Sequence, residues 1–147
     1  MNSIQLDKIL KSNIQTSKIF MGVFARDELP RIEKFPCCFI LNTAKRTHPG
    51  KHWIALYFDS NKVCNFFDSY GNKPKFFDLD EYIALISNKV VSNNKTIQSW
   101  KSHNCGFYCV LFLILRSSGH SMEKFCNLFY DQPDKNDEMI EKYKLNF

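Results

Sequence analysis

The chain has 147 residues, of which 44% are hydrophobic and 24% are charged, and it contains 14 phenylalanines, six tyrosines and two tryptophans. This length fits a single domain over 1–147, and so apolar a composition excludes a disordered chain. Basic residues exceed acidic ones by five, and the excess lies in residues 1–75, which hold twelve basic and six acidic side chains. Such a balance is typical of a solvated surface and leaves sequence-independent binding of nucleic acid open.

No apolar stretch reaches the ~18 residues that a membrane span requires, because the longest, Phe107–Leu115, ends at Arg116. The first twenty residues carry charges among their apolar side chains and lack the apolar block of a secretory signal. We therefore expect a protein that is not secreted, stays inside a cell and has no membrane partner. Its six cysteines, two of them adjacent at Cys37 and Cys38, are then expected to be reduced thiols.

The first half of the chain predicts one helix followed by strands. Ser3 can cap a helix whose apolar residues recur at helical spacing over Ile4–Leu10. The short apolar run Cys37–Leu41 is typical of a buried strand. Two further runs, His52–Asp59 and Val63–Asp68, are separated by a short polar turn and predict a β-hairpin.

The second half predicts mostly helices. Apolar spacing indicates a helix over Asp78–Lys89, and a short strand is expected at Thr96–Ser99. Cys105–Leu115 is apolar on every face, which predicts a fully buried central helix. A further turn or two is expected within Ser121–Tyr130, and Pro133 should start a last helix that runs to about 144. Because strands and helices do not alternate regularly, we predict the α+β class, with a mixed central sheet packed against the buried helix.

Four polar residues in this arrangement suggest chemistry. Cys105 begins the predicted buried helix, where unpaired backbone N–H groups and the helix dipole favour a thiolate. His52 begins a strand directly after a Pro49-Gly50 turn and can serve as the base. Asp68 ends the neighbouring strand, and hairpin pairing centred on position 60 places 52 and 68 opposite each other, so that the carboxylate can hold the imidazole.

Gln98 lies seven residues before Cys105, at the end of the strand expected at 96–99. From there its amide can donate a hydrogen bond to an oxyanion that forms beside the thiol. Each residue alone has a simpler explanation, since a buried cysteine is usually a small core residue and an aspartate before Ser69 and Gly71 is a common turn residue. The combination in this chain order is what favours a site.

The chain order His52-Trp53, an acidic residue before an aromatic–Gly turn, Gln98 and Asn104-Cys105-Gly106 resembles the adenain-like family of cysteine peptidases, which includes the adenovirus maturation protease. The matching stretches are Phe20–Phe24, Ile40–Ala44, Gly50–Ala55, Val63–Gly71 and Gln98–Cys109. The resemblance implies that Cys105 is the nucleophile, His52 the base and Asp68 the orienting acid. It also implies that Gln98 and the backbone N–H of Cys105 form the oxyanion hole.

The resemblance further implies a monomeric viral endopeptidase that cleaves capsid or core precursor proteins next to glycine during virion maturation. Such an enzyme would act in the virion and the infected host cell. Viral DNA serves this family as a cofactor, so we expect DNA to be a candidate activator that Lys45, Arg46 and Lys51 contact without sequence specificity.

Two departures from the family pattern bear on these expectations. The acid at position 68 is an aspartate where the adenoviral enzyme has a glutamate, which shortens the reach but keeps the charge. The adenoviral enzyme also forms a disulfide with an activating peptide through a cysteine shortly before the glutamine. Because residues 90–97 contain no cysteine, no disulfide-linked activating peptide is expected here.

Two other functions stay open at this point. Deubiquitinase-like and deSUMOylating thiol proteases share the implied fold and the order of site residues. A non-enzymatic alternative is a basic, nucleic-acid-binding capsid component whose thiols are merely buried.

The sequence predicts no metal site, because Pro49 breaks the helix that His48 and His52 would need and no second pair of ligands exists. We interpret Trp53 and Trp100 as core aromatic residues and Cys109 as a small core residue. No role is assigned to the thiols of Cys37, Cys38, Cys64 and Cys126.

Overall fold

The structure, a computed structural model, describes residues 1–48 and 51–144. Its helices are α1 (Ser3–Ser12), α2 (Asp80–Ile86), α3 (Cys105–Ser117), α4 (Met122–Cys126) and α5 (Pro133–Tyr143). Its strands are β1 (Phe20–Phe24), β2 (Cys37–Asn42), β3 (Trp53–Phe58), β4 (Val63–Phe67) and β5 (Lys89–Ser92). The predicted α+β class is confirmed. None of the helices in the described part of the chain is both long and apolar enough to cross a bilayer.

The five strands form one mixed sheet in the order β1-β2-β3-β4-β5. The two outer pairs are parallel and the two inner pairs are antiparallel. Apolar side chains are buried on both faces of the sheet, because α1 and α3 cover one face and α2 covers the other. Burial on both faces explains why β2 is a continuous apolar run and not an alternating one.

The predicted hairpin is present, but its register differs from the expected one. Ala55 pairs with Phe67, so the pairing is centred on position 61 and position 52 does not face 68. The turn explains the shift. The carboxylate of Asp59 accepts hydrogen bonds from the N–H groups of Asn61 and Val63 at 2.9 and 3.0 Å, which moves the reversal one residue along the chain.

Three predicted elements need correction. The strand expected at Thr96–Ser99 is wrong: β5 lies earlier, at Lys89–Ser92, and the backbone N–H groups of Ile97 and Gln98 both donate to the carbonyl oxygen of Ser69. The helix expected over 78–89 is shortened to α2 by a preceding 3₁₀ turn at Pro74–Phe77. At α1 the cap is Asn2 and not Ser3, because Asn2 and Gln5 form a reciprocal capping box.

Strand β1 was not predicted from periodicity. In the described part of the chain it is an edge strand, paired with β2. Its glycine, Gly22, has a φ of 136° and coincides with an irregular register, both of which obscure an alternating pattern.

Helix α3 begins at Cys105 as predicted and packs against β3. Its N-terminal half is buried, whereas Leu111, Ile114 and Leu115 are partly exposed, so burial on every face is wrong for the C-terminal half. The prediction for Trp100 is also wrong, because this side chain is 81% exposed. Helix α5 spans nearly the predicted range.

Candidate active site

The ends of three elements bring the predicted site residues together. His52 directly precedes β3 and Asp68 directly follows β4, and because these strands are antiparallel, the two residues lie at the same end of the sheet. Cys105 is the first residue of α3, which packs against β3. The predicted Pro49-Gly50 turn before His52 lies outside the described residues.

Asp68 holds the imidazole of His52. Its Oδ1 lies 2.6 Å from His52 Nε2, and the carboxylate is fully buried, while the histidine side chain is 13% exposed. The carboxylate also accepts hydrogen bonds from the backbone N–H groups of Tyr70 at 3.1 Å and Asn72 at 3.0 Å. With Nε2 engaged, Nδ1 is the ring nitrogen that can share a proton with Cys105.

The pKa of His52 is raised and the pKa of Cys105 is lowered. Burial alone would lower the pKa of His52, but hydrogen bonds to Asp68 and Cys105, with their negative charge, raise it to about 9. Burial alone would raise the pKa of Cys105, but the hydrogen bond with His52 and the backbone N–H groups of Trp53 and Gly106 lower it. Both directions favour an imidazolium paired with a thiolate.

Cys105 differs from the other five cysteines. All six thiols are free, and burial raises the pKa of each of the other five. Cys109, one turn further along α3, is fully buried and its thiol lies 3.4 Å from the carbonyl oxygen of Trp53. Its interpretation as a core residue fits this placement. A lowered pKa therefore distinguishes the predicted nucleophile from the core thiols.

Gln98 lies at the wall of the same cleft. The cleft has a volume of about 540 Å³, and its lining includes His52, Cys105 and Gln98. The side-chain oxygen of Gln98 accepts a hydrogen bond from the hydroxyl of Ser69 at 2.5 Å, and its nitrogen donates to the carbonyl and hydroxyl oxygens of Ser102 at 3.0 Å each. A substrate oxyanion would replace one of these two bonds to Ser102, and the other would keep the amide in place.

Gly106 allows α3 to approach the strand that carries the histidine. A Cβ atom at this position would lie 3.2 Å from the indole of Trp53 and 3.4 Å from side-chain atoms of Leu6 and Met1. Glycine therefore lets the N-terminus of the helix, with Cys105, come close to β3.

A family model described as adenovirus endoprotease matches residues 20–127 of this chain. The chain belongs to the adenovirus endoprotease family. It is 33% identical over 109 residues to a protease of Bovine adenovirus 2, which covers 65% of this chain and 50% of that protein. It is 32% identical over 120 residues to a protease of Bovine adenovirus 7, covering 71% of this chain and 59% of that protein. The chain thus spans about half the length of the curated relatives that it matches.

Two solved structures share the fold of this family member. Crystal structures of the ASFV pS273R protease superpose on the chain with TM-scores of 0.60 and 0.61, at 19% and 16% sequence identity. They cover 92% of this chain and 64% or 63% of their own. The likeness supports the mixed sheet and helix architecture described above.

Sequence reasoning about this family member missed three groups of side chains around the site. The ring of Tyr70 stacks on the imidazole of His52, with centroids 4.8 Å apart. The buried amide of Asn93 accepts a hydrogen bond from the N–H of Asp68 at 3.2 Å and donates to its carbonyl oxygen at 2.6 Å. Asp137, on α5, binds the loop that follows Gln98. Tyr70 was visible in the aromatic–Gly turn, whereas nothing in the sequence marks the other two.

The three basic residues predicted to contact DNA do not behave alike. The side chains of Lys45, Arg46 and Lys51 are all exposed. Arg46 forms an ion pair with Glu28 at 3.1 Å, and its backbone N–H donates to Asp27. Contact with DNA stays a prediction. The described residues contain no group of three or more side chains that could hold a metal ion.

Proposed function

We propose that this chain is a cysteine endopeptidase that cleaves viral capsid or core precursor proteins during virion maturation. The observation that carries the proposal is the contiguous arrangement of Asp68, His52 and Cys105, in which Cys105 has a lowered pKa. Membership of the adenovirus endoprotease family supports the reaction and the viral context.

In the proposed mechanism, His52 and Cys105 form an imidazolium–thiolate pair in the resting enzyme. The thiolate attacks the carbonyl carbon of the scissile peptide bond, and the carbonyl π electrons move onto the oxygen. Asp68 keeps the ring oriented and stabilises its positive charge throughout. The nucleophile thus needs no deprotonation at the moment of attack.

The oxyanion is stabilised by two donors at the end of α3. Cys105 is the first residue of α3, so its backbone N–H has no acceptor within the helix. The second donor is the amide of Gln98, which lines the same cleft. Collapse of the tetrahedral intermediate breaks the C–N bond while His52 gives its proton to the leaving amine. Water then attacks the thioester while His52 takes its proton, and breaking of the C–S bond releases the acid and restores the imidazolium–thiolate pair.

Substrate choice is a finer part of the proposal. The aromatic side chains of Trp53 and Tyr70 line the cleft beside the reacting residues. The family resemblance favours glycine next to the cleaved bond, in precursor proteins of the virion. We expect a monomeric enzyme that acts in the virion and in the infected cell.

The geometry favours an enzyme over a nucleic-acid-binding protein with inert thiols. Such a protein would give Cys105 the raised pKa of the other five cysteines, whereas its pKa is lowered. A deubiquitinase-like or deSUMOylating protease would use the same residues, so substrates must separate it from a maturation protease. Cleavage of ubiquitin-like conjugates, with precursor peptides left intact, would support that alternative.

The deciding experiment combines a thiol-reactive peptide probe with turnover of capsid-precursor peptides. Wild-type protein should label on Cys105 at neutral pH and cleave the peptides. Cys105→Ala should lose both activities, whereas Cys126→Ala, which removes a buried thiol outside the cleft, should keep both. Turnover retained by Cys105→Ala, or absent from the wild type, would overturn the proposal.

A further inference from the structure

Helix α5 lies beyond the residues that the family model matches, yet it binds the loop that connects Gln98 to Cys105. Asn136 is fully buried, and its amide donates to the carbonyl oxygen of Ile97 at 3.0 Å. The same amide accepts from the N–H of Tyr130 at 2.7 Å and donates to its carbonyl oxygen at 2.9 Å. One side chain thereby ties the start of the loop to the segment that precedes α5.

The next residue, Asp137, binds the rest of that loop. Its Oδ2 accepts a hydrogen bond from the backbone N–H of Ser99 at 2.9 Å. Its Oδ1 accepts from the hydroxyl of Ser102 at 3.0 Å, the amide of Asn104 at 3.2 Å and the hydroxyl of Tyr108 at 2.9 Å. Four donors from the loop and from the first turn of α3 therefore converge on one carboxylate.

This carboxylate is linked to the oxyanion donor through a single residue. The hydroxyl of Ser102 donates to Asp137 and accepts from the amide nitrogen of Gln98 at 3.0 Å. Holding Ser102 therefore fixes the acceptors against which the Gln98 amide is oriented. Asn104, which also donates to Asp137, directly precedes Cys105.

We propose that Asp137 is a positioning residue of the peptidase site, which holds the 98–104 loop so that the amide of Gln98 points to the oxyanion. This inference rests on the proposed function. A carboxylate is needed because it offers two acceptor oxygens and no donor, whereas the NH₂ of an asparagine would face one of the incoming donors. The neighbouring Glu138 is exposed and serves as a matched site for the same change.

The test compares Asp137→Asn with Glu138→Gln, using a precursor peptide that the wild type cleaves. Removal of one oxyanion donor lowers kcat by about 10²–10³-fold, and a residue that acts through that donor should cost less, about tenfold to hundredfold. Asp137→Asn should therefore lower kcat by that amount, with KM and the rate of Cys105 alkylation within about threefold of wild type. Glu138→Gln should match the wild type.

A double-mutant cycle separates positioning from a general loss of structure. If Asp137 acts through Gln98, the pair Gln98→Ala with Asp137→Asn should be hardly slower than Gln98→Ala alone. Ser102→Ala removes the linking hydroxyl with little change in packing. It should also lower kcat by a larger factor than it lowers the rate of Cys105 alkylation. This second variant keeps the proposal testable if Asp137→Asn does not fold.

The outcomes distinguish this inference from the proposed function. Three outcomes would overturn the positioning role alone, provided that the wild type cleaves the peptide. They are an unchanged kcat in Asp137→Asn, independent losses from Asp137→Asn and Gln98→Ala in the double-mutant cycle, and an equal loss of alkylation and turnover in Asp137→Asn. Wild-type protein without turnover on any precursor peptide would overturn the proposed function and this inference together.

Discussion

The two halves of the candidate site are held in place by different kinds of bond. His52 and Asp68 extend from β3 and β4, whose backbone ladder fixes their separation. Gln98 lies on a loop outside the ladder. Its backbone N–H donates to the carbonyl oxygen of Ser69, and the rest of the loop is held by the side chains of Ser69, Ser102 and Asp137. A ladder built from backbone atoms survives most substitutions, whereas a loop held by side chains depends on a few named residues. The strand-held half should tolerate change around it better than the loop-held half.

The largest effect should come from the strand-held half itself. His52→Ala removes the base and the imidazolium that stabilises the thiolate, so turnover should fall by several orders of magnitude. The fold should persist, because the β3–β4 ladder does not involve this side chain. Peptide turnover and thermal unfolding measure the two effects. Turnover within tenfold of wild type would remove His52 from the site.

Gln98→Ala tests the loop-held half at its reacting end. Its amide acts when negative charge develops on the substrate oxygen, so the rate should fall by roughly 10²–10³-fold. Alkylation of Cys105 should be nearly unchanged, because the thiolate depends on His52. Parallel measurements of turnover and alkylation decide the point, and an equal fall in both would indicate a structural role instead.

Asp68→Asn should weaken the strand-held half without abolishing it. We expect a fall of about tenfold to hundredfold, at or below the low end of what general acid–base catalysis supplies, because the Cys–His pair remains. The pH profile should also change. The pKa of His52 is about 9, so activity that needs the imidazolium is lost as the pH rises through 9, and losing Asp68 should move this limb to lower pH.

The raised pKa of His52 also has a consequence for stability. Because the folded-state pKa lies above the unfolded value of about 6.5, protonation favours the folded state. This contribution is fully present below pH 6.5 and is lost as the pH rises through 9. Thermal unfolding of wild type and Asp68→Asn across this range should differ most at the acidic end. If the alkaline limb of the activity profile were the same in Asp68→Asn as in the wild type, Asp68 would not be the cause of the raised pKa of His52.

Asn93 joins the two kinds of support. It follows β5, and its amide bonds to the backbone of Asp68 on both sides, in the manner of a ladder residue. Asn93→Ala should leave the buried N–H of Asp68 without its partner, whereas the Asp68 carbonyl oxygen still accepts from the N–H of Gly71, and it should lower the free energy of unfolding by about 1–3 kcal/mol. Turnover at 25 °C should fall by less than for Asp68→Asn. Urea unfolding and turnover of the purified variant would check both, and unchanged stability would contradict this role.

Binding of DNA should have the smallest effect on the turnover of a small peptide. If Lys45 and Lys51 contact phosphates, the affinity for duplex DNA should fall with salt, with a log–log slope of about −0.9 per phosphate neutralised. Hydrolysis of a small neutral peptide should hardly change. Because Arg46 is paired with Glu28, Arg46→Gln should alter the slope less than Lys51→Gln. A titration of labelled duplex at low ionic strength without binding at micromolar protein would contradict the prediction.

The sequence allowed the strand-held half to be predicted because a hairpin contact is local. The two apolar runs that form β3 and β4, with the short turn between them, bring His52 and Asp68 to one end of the sheet. The predicted register was wrong by one residue because the side chain of Asp59 bonds within the turn. The loop-held half was predicted only as a residue, Gln98, and its secondary structure was wrong. Contacts such as Asp137 with Ser99 join positions 38 residues apart through side chains, and they leave no periodic pattern in the sequence.

The contrast between Cys105 and the five core cysteines has a consequence for how the protein meets an oxidant. Peroxide reacts with thiolates, so one cysteine in six should be oxidised while the chain is folded, and the first product is a sulfenic acid that thiols reduce again. A mild oxidant should therefore switch off the site reversibly and leave the core unaltered. In the same way, a thiol reagent should label one cysteine per chain in the native protein and six after denaturation. The stoichiometry of labelling therefore reports directly whether the chain is folded.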